Sequence, residues 1–543
     1  MGSDGVIIVC FPFISIVENK VNEWILHPIE INIIADISEI SSPKESGSTL
    51  FSYLYLLKHA VMKKIQLFIL LGFSTSLFAQ NLEVSKDAVK FITKKNLKHH
   101  VYILASDSLQ GRNTGETGQK KAARYIAREF KTMGLKKVNN NYLHSFELWQ
   151  RQWHDVYLEH NARRFNDLEQ IAYLSFSPIN EEIEKEVIFI GDGCNANLHA
   201  RNLADKIVVA SINNMRAWYP LADRLKKENP FGLFLFNPTD DLQFDVIKNQ
   251  IIPLRHNKTI SNKELRPTQS SAYQVFALNN NMTRELFSVP TDSLKQLSDA
   301  GTAYLIPATR IKLKCQMLIH KIETENIVGY LPGKAQTKET LVITAHYDHV
   351  GKIGDTIYYG ADDNASGTAT LLEIARSFTL LPDKTYKNIL FVATTAEEKG
   401  MYGASYFMEH YDSTRYNILA NINIDMVGRR DSVGKKNYIY LIGTEQFPEF
   451  DQLVTRANSL SHPLKLDYSY AHSSGFGSML QLSDHYAFYN QNIPILCFFN
   501  GLHPDYHKPT DTPDKIEYNE LEKRARLIFL TSYLAAQKEP FRN

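Results

Sequence analysis

The sequence predicts an α/β fold in which a central, mostly parallel mixed sheet is flanked by helices and a smaller β-rich domain is inserted. Two observations predict this organisation. From Glu325 to the C-terminus, apolar strand-like runs such as TLVITAHYD, NILFVATTAEE, LANINIDMVG and IPILCFFN alternate with helical segments, which is typical of parallel strands. Between Trp149 and Met317 the chain instead carries short β-rich runs such as EVIFIGDG and FGLFLFNP, which are separated by polar turns.

Composition limits the classes of partner. The 543 residues are 44% hydrophobic and 22% charged, as in an ordinary globular chain, and this length predicts more than one domain. Lys and Arg total 60 against 59 for Asp and Glu, so no net charge attracts nucleic acid or acidic membranes. The 4 cysteines are far apart and form no CxxC pair, which argues against a thiolate zinc site and leaves one disulfide open.

A targeting segment precedes the main domains. Residues 62–79, MKKIQLFILLGFSTSLFA, have two lysines, an apolar stretch and a small residue at the end, as in a secretory signal peptide. A membrane-spanning helix is the alternative, but it needs about 20 apolar residues. We predict cleavage after Ala79 and a periplasmic or extracellular location. Because Gln80 and not a cysteine directly follows the cleavage point, we also predict no stable membrane anchor. Residues 1–61 are interpreted as an upstream extension that is not native.

Residues 80–148 are predicted to form the first part of the main domain. A helix there carries an apolar stripe at helical spacing and ends near Gly134; the stripe consists of Ala122, Tyr125, Ile126, Phe130 and Met133. Residues 149–317 are predicted to be the inserted domain, acting as a lid or substrate guide or equally as structural packing. Residues 318–543 are predicted to form the main part of the larger domain.

In residues 318–543 the polar side chains follow the apolar runs. Successive runs end on His346 with Asp348, then on Glu397 with Glu398, and then on Asp425. Ligands gather at the carboxyl ends of strands in open α/β sheets, so we expect these residues to converge. The run IPILCFFN leads to His507 at the same edge.

Each motif alone has an ordinary structural interpretation. An HxD pair ends many strands, GADDNASG is also suited to a turn and helix cap, and adjacent glutamates are usually solvated. Together they supply nitrogen and oxygen donors without sulfur, a combination that suits zinc. Five ligands exceed the need of one catalytic zinc, whereas two metals sharing a carboxylate would use them all. Asp348 would accept a hydrogen bond from the second nitrogen of His346.

The order HxD, GxxDNxSG, EE, IDM, YH resembles the zinc aminopeptidase family. This family includes bacterial leucyl aminopeptidases, glutamate carboxypeptidase II, glutaminyl cyclase and the transferrin receptor, and its zinc exopeptidase-like fold is thereby implied here from Glu325 onward. Residues 149–317 resemble a protease-associated domain more loosely. The resemblance implies two Zn²⁺ ions, held by His346 and Asp425 and by Glu398 and His507, with Asp363 bridging because it precedes Asn364. It also implies Glu397 as general base and Tyr506 as an oxyanion donor.

The resulting hypothesis is a secreted di-zinc metallo-exopeptidase that removes N-terminal residues from peptide substrates by attack of a water activated between the metals. The alternatives are a single-zinc glutaminyl cyclase, a glutamate-carboxypeptidase-type hydrolase and an inactive binding module. The complete ligand set favours the hydrolase, and the sequence reveals no arginines for a pocket that binds acidic substrates. The segment YAHSSGFGSMLQLSDHYAF, residues 470–488, is a candidate rim of the substrate pocket.

Overall fold

The structure is a computed structural model in two units. It describes residues 8–18, 24–34, 88–175, 177–194, 198, 201–215, 218–256, 259–264, 274–334, 337–470 and 478–537. The chain divides into Met1–Leu82 and Glu83–Asn543, and in the first unit β1 (Ile8–Glu18) and β2 (Trp24–Ile34) pair as an antiparallel hairpin. The predicted signal peptide, residues 62–79, lies outside the described residues, so it and the interpretation of residues 1–61 stay predictions.

The second unit contains the main sheet and its helices. Its strands are β3 (Lys136–Lys137), β4 (Leu143–His160), β5 (Arg163–Asn166), β6 (Ile171–Tyr173), β7 (Ile179–Phe189), β8 (Ile207–Ser211), β9 (Gly232–Phe236), β10 (Thr259–Ser261), β11 (Gln274–Leu278), β12 (Thr309–Leu331), β13 (Glu339–His346), β14 (Gly351–Ile353), β15 (Thr356–Tyr358), β16 (Asn388–Thr394), β17 (Asn417–Ile424), β18 (Tyr438–Ile442), β19 (Lys465–Asp467) and β20 (Ile495–Phe499). Its described α-helices are α1 (Lys94–Leu104), α2 (Thr117–Thr132), α3 (Tyr219–Leu225), α4 (Leu242–His256), α5 (Asn280–Phe287), α6 (Thr291–Asp299), α7 (Gly367–Thr379), α8 (Tyr402–His410), α9 (Pro448–Ser459), α10 (His485–Tyr489) and α11 (Tyr518–Ala535). None of the helices in the described ranges has the length and apolar character needed to cross a membrane.

The centre of the main domain is a parallel arrangement of strands. β13 lies between β16 and β17 and runs parallel to both, and β20 extends the parallel set beyond β17. β12 and β18 close this region with antiparallel pairings to β16 and β20. Every residue of β16 is buried, as expected for a parallel strand covered on both faces. The predicted α/β class with a mostly parallel mixed sheet is confirmed.

Helices cover both faces of this sheet. Alternate strand residues such as Ile343 and Phe391 pack with α1, α2, α7 and α11 in one core, whereas Val342 and Val392 pack with α8 and α10 in another. The predicted apolar stripe near the start of the chain lies on α2, where Ile126 and Phe130 are fully buried. Gly134 follows this helix with a positive φ of 79°, which favours glycine at a helix end.

The region of residues 149–317 has its own apolar cores and shares the sheet. β7, β8, β9 and β11 run parallel in that order, and β6 pairs antiparallel with β11. The two cores of this region draw their buried residues from Val156 to Cys315. The predicted borders fall inside β4 and β12, which pair antiparallel from Leu143 opposite Ile327 to Glu159 opposite Lys312. One sheet therefore continues across both borders, and the division into domains stays a prediction.

Candidate metal centre

The candidate ligands lie at one edge of the central sheet because their strands are parallel. His346 is the last residue of β13, Asp425 directly follows β17, and Glu397 and Glu398 follow β16 by a few residues. Asp363 lies in the turn of residues 361–366 that leads into α7. Parallel neighbours end at the same edge, so residues distant in sequence meet there.

The first group of donors surrounds His346. Its Nε2 lies 3.2 Å from Asp425 Oδ1 and 3.4 Å from Asp363 Oδ1. His346 and Asp363 are almost fully buried. These three side chains are arranged as a group that can hold a metal ion.

The second group uses the other oxygen of Asp363. His507 Nε2 lies 3.0 Å from Asp363 Oδ2 and 3.2 Å from Glu398 Oε2. Asp363 therefore presents one carboxylate oxygen to each group, which is the geometry expected of a bridging ligand. Without a metal, burial lowers the pKa of His507, but its hydrogen bonds to Asp363 and Glu398 outweigh burial and raise it to about 10.

His349 is a further residue of the second group that the sequence analysis missed. Its Nδ1 lies 2.7 Å from Glu398 Oε1 and 3.7 Å from Asp363 Oδ2, and the side chain is fully buried. Its position directly after the HxD pair gave a signal, since this histidine follows the same strand. The spacing does not reveal whether the His349 ring points toward the strand ends, because the direction of this side chain depends on the conformation of the loop after β13.

The turn that carries Asp363 is closely packed against this histidine. Gly360, which precedes the turn, has a positive φ of 56°, and a Cβ there would lie 2.5 Å from atoms of the His349 ring and 2.2 Å from the carbonyl oxygen of Asp363. Glycine is therefore required by both conformation and space. Buried Arg112 holds the same region, with Nε 2.7 Å from the carbonyl oxygen of Tyr347 and Nη2 2.9 Å from that of Gly360.

The Asp348 side chain has a different partner from the one expected. His346 Nδ1 lies 3.2 Å from the backbone carbonyl oxygen of Asp348, whereas the nearer carboxylate oxygen is 3.9 Å away. The carboxylate instead accepts the hydroxyl of Thr114 at 2.9 Å and the backbone N–H of Glu397 at 3.2 Å. Asp348 thus orients His346 through its main chain and the loop of Glu397 through its side chain. The difference arises because the loop after β13 turns the carboxylate toward the next strand end.

The adjacent glutamates have opposite electrostatic environments. Burial raises the pKa of Glu397 well above its usual value, and neighbouring Asp425 and Glu398 add to this effect against the opposing influence of His346. For Glu398, His349 and His507 outweigh burial and hold the pKa well below its usual value. The two carboxyl groups therefore have different surroundings although they are adjacent in sequence.

Tyr506 lies beside the second group. Its ring stacks on that of His507, with 3.9 Å between centroids and 22° between planes. Burial and the nearby carboxylates, led by Asp363, raise the pKa of Tyr506. The phenol therefore keeps its proton at neutral pH and remains a hydrogen-bond donor.

The candidate rim contributes a contact to the first group. Ser483 donates its hydroxyl to Asp425 Oδ2 at 2.7 Å, a contact that the sequence pattern did not reveal. Its neighbour His485 is buried, which lowers the pKa to about 4 against two backbone hydrogen bonds that raise it. Residues 471–477 of the predicted rim lie outside the described residues.

The donor set fits divalent metal ions. In the ion pairs found among the described residues, the central carboxylates contact histidines and contact neither lysine nor arginine; they are Asp363, Glu397, Glu398 and Asp425. Buried like charges are costly unless cations or metals compensate them. Imidazole nitrogens and carboxylate oxygens in the absence of thiolates suit zinc.

Comparison with known proteins gives related sequences and structures. Aminopeptidase YwaD of Bacillus subtilis is 29% identical over 224 residues, which cover 40% of this chain and 46% of that protein. A probable zinc metalloprotease of Leptosphaeria maculans is 29% identical over 170 residues, covering 30% and 37% of the two chains. The chain thus spans less than half the length of these relatives. A solved aminopeptidase from Aneurinibacillus sp. strain AM-1 aligns with a TM-score of 0.49 at 20% identity, over 84% of this chain and 97% of that one.

A family model matches the part of the chain that contains the site. Residues 326–532 match the model described as Peptidase family M28. This segment includes all the predicted metal ligands, namely His346, Asp363, Glu398, Asp425 and His507. The match confirms the resemblance that the motif order indicated. Residues 326–532 of this chain therefore resemble a peptidase M28 domain, which supports a relationship to the zinc aminopeptidases.

Proposed function

We propose that the chain is a secreted di-zinc aminopeptidase that removes N-terminal residues from peptides. The observation that carries the proposal is the placement of Asp363, whose Oδ1 lies 3.4 Å from His346 Nε2 and whose Oδ2 lies 3.0 Å from His507 Nε2. A carboxylate placed between two donor groups is suited to bridge two metal ions, as in many hydrolytic sites. The M28 match supports the reaction class.

The ligands divide into two sets around Asp363. His346 and Asp425 would hold one zinc ion, Glu398 and His507 the other, and Asp363 both. When bound, zinc supplies Lewis acidity that polarises a substrate carbonyl and lowers the pKa of a water molecule. His349 orients Glu398 through its contact of 2.7 Å.

Glu397 is the proposed general base. Its Oε2 lies 4.0 Å from His346 Nε2, and Glu397 is not a member of either group of described side chains that could hold a metal ion. Its backbone N–H is held by Asp348, which keeps the loop in place. Glu397 takes the proton of the attacking water and returns it to the leaving amine. Tyr506 donates its hydroxyl to the oxyanion that develops on the scissile carbonyl.

Metal analysis and substrate assays test this proposal. Purified chain starting at Gln80 is analysed for metal per chain, and hydrolysis of leucyl anilide is measured before chelation, after chelation and after zinc is restored. N-acetylated leucyl anilide is the control, since an aminopeptidase requires a free amine. Two zinc ions and chelator-sensitive hydrolysis of the free substrate alone would support the proposal. One zinc ion with pyroglutamate formation from a glutaminyl peptide would indicate the cyclase instead.

Secretion is a separate part of the proposal. It depends on residues 62–79, whose two lysines and apolar stretch resemble a signal peptide. Expression of the full reading frame in a bacterial host, followed by N-terminal sequencing of exported protein, tests it. A start near Gln80 is expected, and a start before Met62 would contradict the interpretation of residues 1–61.

A further inference from the structure

A single buried carboxylate contacts the turn that carries the central ligand. Asp511 is fully buried, and its Oδ2 accepts the backbone N–H of Asp362 at 2.9 Å and that of Asp363 at 3.2 Å. Its backbone carbonyl oxygen accepts the N–H of Ala361 at 3.1 Å. Three consecutive amides of the turn are thus bound by one residue.

Asp511 belongs to the same segment as another metal ligand. It follows His507 by four positions, and its own N–H donates to the carbonyl oxygen of Lys508 at 3.1 Å. Asp511 binds the turn of Asp363 and lies in the same segment as His507. Its position therefore affects the distance between these two ligands. The charge of Asp511 faces Arg429, whose Nη1 lies 3.8 Å from Oδ1.

The first group is connected to Asp363 by a separate set of contacts. Asn364 donates from Nδ2 to the carbonyl oxygen of Ile424 at 2.9 Å and accepts the N–H of Met426 at 3.1 Å. These contacts are on either side of Asp425. The position of Asp363 relative to Asp425 therefore depends on the hydrogen bonds of Asn364. Its position relative to His507 depends on those of Asp511.

We propose that Asp511 is a positioning residue for the second metal group, because it fixes the turn of Asp363 relative to the segment of His507. The second group depends on this contact more than the first, since His346 and Asp425 are held at the ends of buried strands. His507 is instead 39% exposed on a loop. The inference rests on the proposed two-metal function and specifies how one of its sites is built.

Zinc titration of the full chain against a competing chromophoric chelator tests the proposal. Asp511→Ala removes the acceptor and is expected to weaken one of the two zinc sites at least tenfold while leaving the other unchanged. Asp511→Asn keeps an acceptor oxygen and is expected to restore most of the lost affinity. A purely structural role would lower the melting temperature without distinguishing the two sites.

Asp505→Ala is the matched control. Asp505 is on the same segment and contacts Arg429 at 2.9 Å and Lys515 at 2.7 Å, rather than the amides of the turn. The Asp505→Ala variant should therefore have the same affinity for zinc as the wild type at both sites. Unchanged affinities in Asp511→Ala, or equal weakening of both sites, would overturn the inference. Wild-type protein that fails to take up two zinc ions would overturn the two-metal function as well.

A second measurement does not depend on whether the alanine variant folds. Hydrogen–deuterium exchange of the metal-free wild-type chain should show slow exchange at the amides of residues 361–363, since Asp511 accepts these three amides without metal. Exchange as fast as that of exposed loops would also overturn the inference.

Discussion

Glu397 and Glu398 are adjacent in sequence, and the proposed mechanism predicts opposite results when each is replaced by glutamine. Glu397→Gln keeps the shape of the side chain and removes the base. Loss of general base catalysis lowers rates by about 10²- to 10⁴-fold, which corresponds to about 3–5 kcal/mol of activation free energy. Since Glu397 lies beside the donor groups, its replacement should leave two zinc ions per chain.

Glu398→Gln should instead act on metal binding. Glu398 contacts His349 at 2.7 Å and His507 at 3.2 Å through its two oxygens, and glutamine would turn an NH₂ group toward one of these rings. The lost charge and the lost acceptor both weaken the second group. We expect about one zinc ion per chain and activity that rises when excess zinc is added.

The assay compares both variants with the wild type in one experiment. Metal per chain is measured by mass spectrometry of the elements, and kcat and KM are measured with leucyl anilide. The reasoning would be refuted if Glu397→Gln retained kcat within about tenfold of the wild type at full metal content. The reasoning would also be refuted if the two variants lost zinc equally, because Glu397 and Glu398 would then not differ in their contribution to metal binding.

Three further predictions concern other residues of the site and its surroundings. Tyr506→Phe should lower kcat about 10²-fold with little change in KM, because the hydroxyl acts on the oxyanion; a raised KM with unchanged kcat would place Tyr506 in substrate binding. His485, whose pKa is lowered to about 4, should make the metal-free protein less stable by up to about 3 kcal/mol as pH falls from about 6.5 to 4, since the unfolded chain binds a proton that the folded chain excludes. Urea unfolding at several pH values checks this, and His485→Asn should flatten the dependence. Arg112→Met should cost at least about 3 kcal/mol in urea unfolding of the metal-free protein, because several buried carbonyl groups lose a charged donor. Arg526→Met, at a part-exposed arginine, should cost clearly less.

The order of residue types was sufficient to predict the class of fold and to indicate candidate donors at one edge of the sheet, whose roles as metal ligands stay predictions. Strand-like runs ending in His346, Glu397 and Asp425 indicated a parallel sheet with a polar edge, because parallel strands place their carboxyl ends together. The helical stripe around Ile126 was also recognisable, since helical periodicity is a local property. These predictions depend on patterns within a few residues or on the shared direction of neighbouring strands.

Other features depend on how loops pack against one another. His349 joins the second group because the loop after β13 turns its ring toward Glu398, and the same turn moves the Asp348 carboxylate to the N–H of Glu397. Ser483 reaches Asp425 from a segment distant in sequence. No local spacing encodes such contacts.

The sequence by itself therefore determined which donors are available, their chemical preference for zinc, and the sheet edge where they gather. The tertiary structure decided which oxygen of Asp363 faces which histidine and that Asp511 holds the turn of this ligand. The physical reason is that donor chemistry belongs to each side chain, whereas metal-site geometry depends on distances between backbone segments. Those distances are set only when the strands, turns and buried carboxylates pack together.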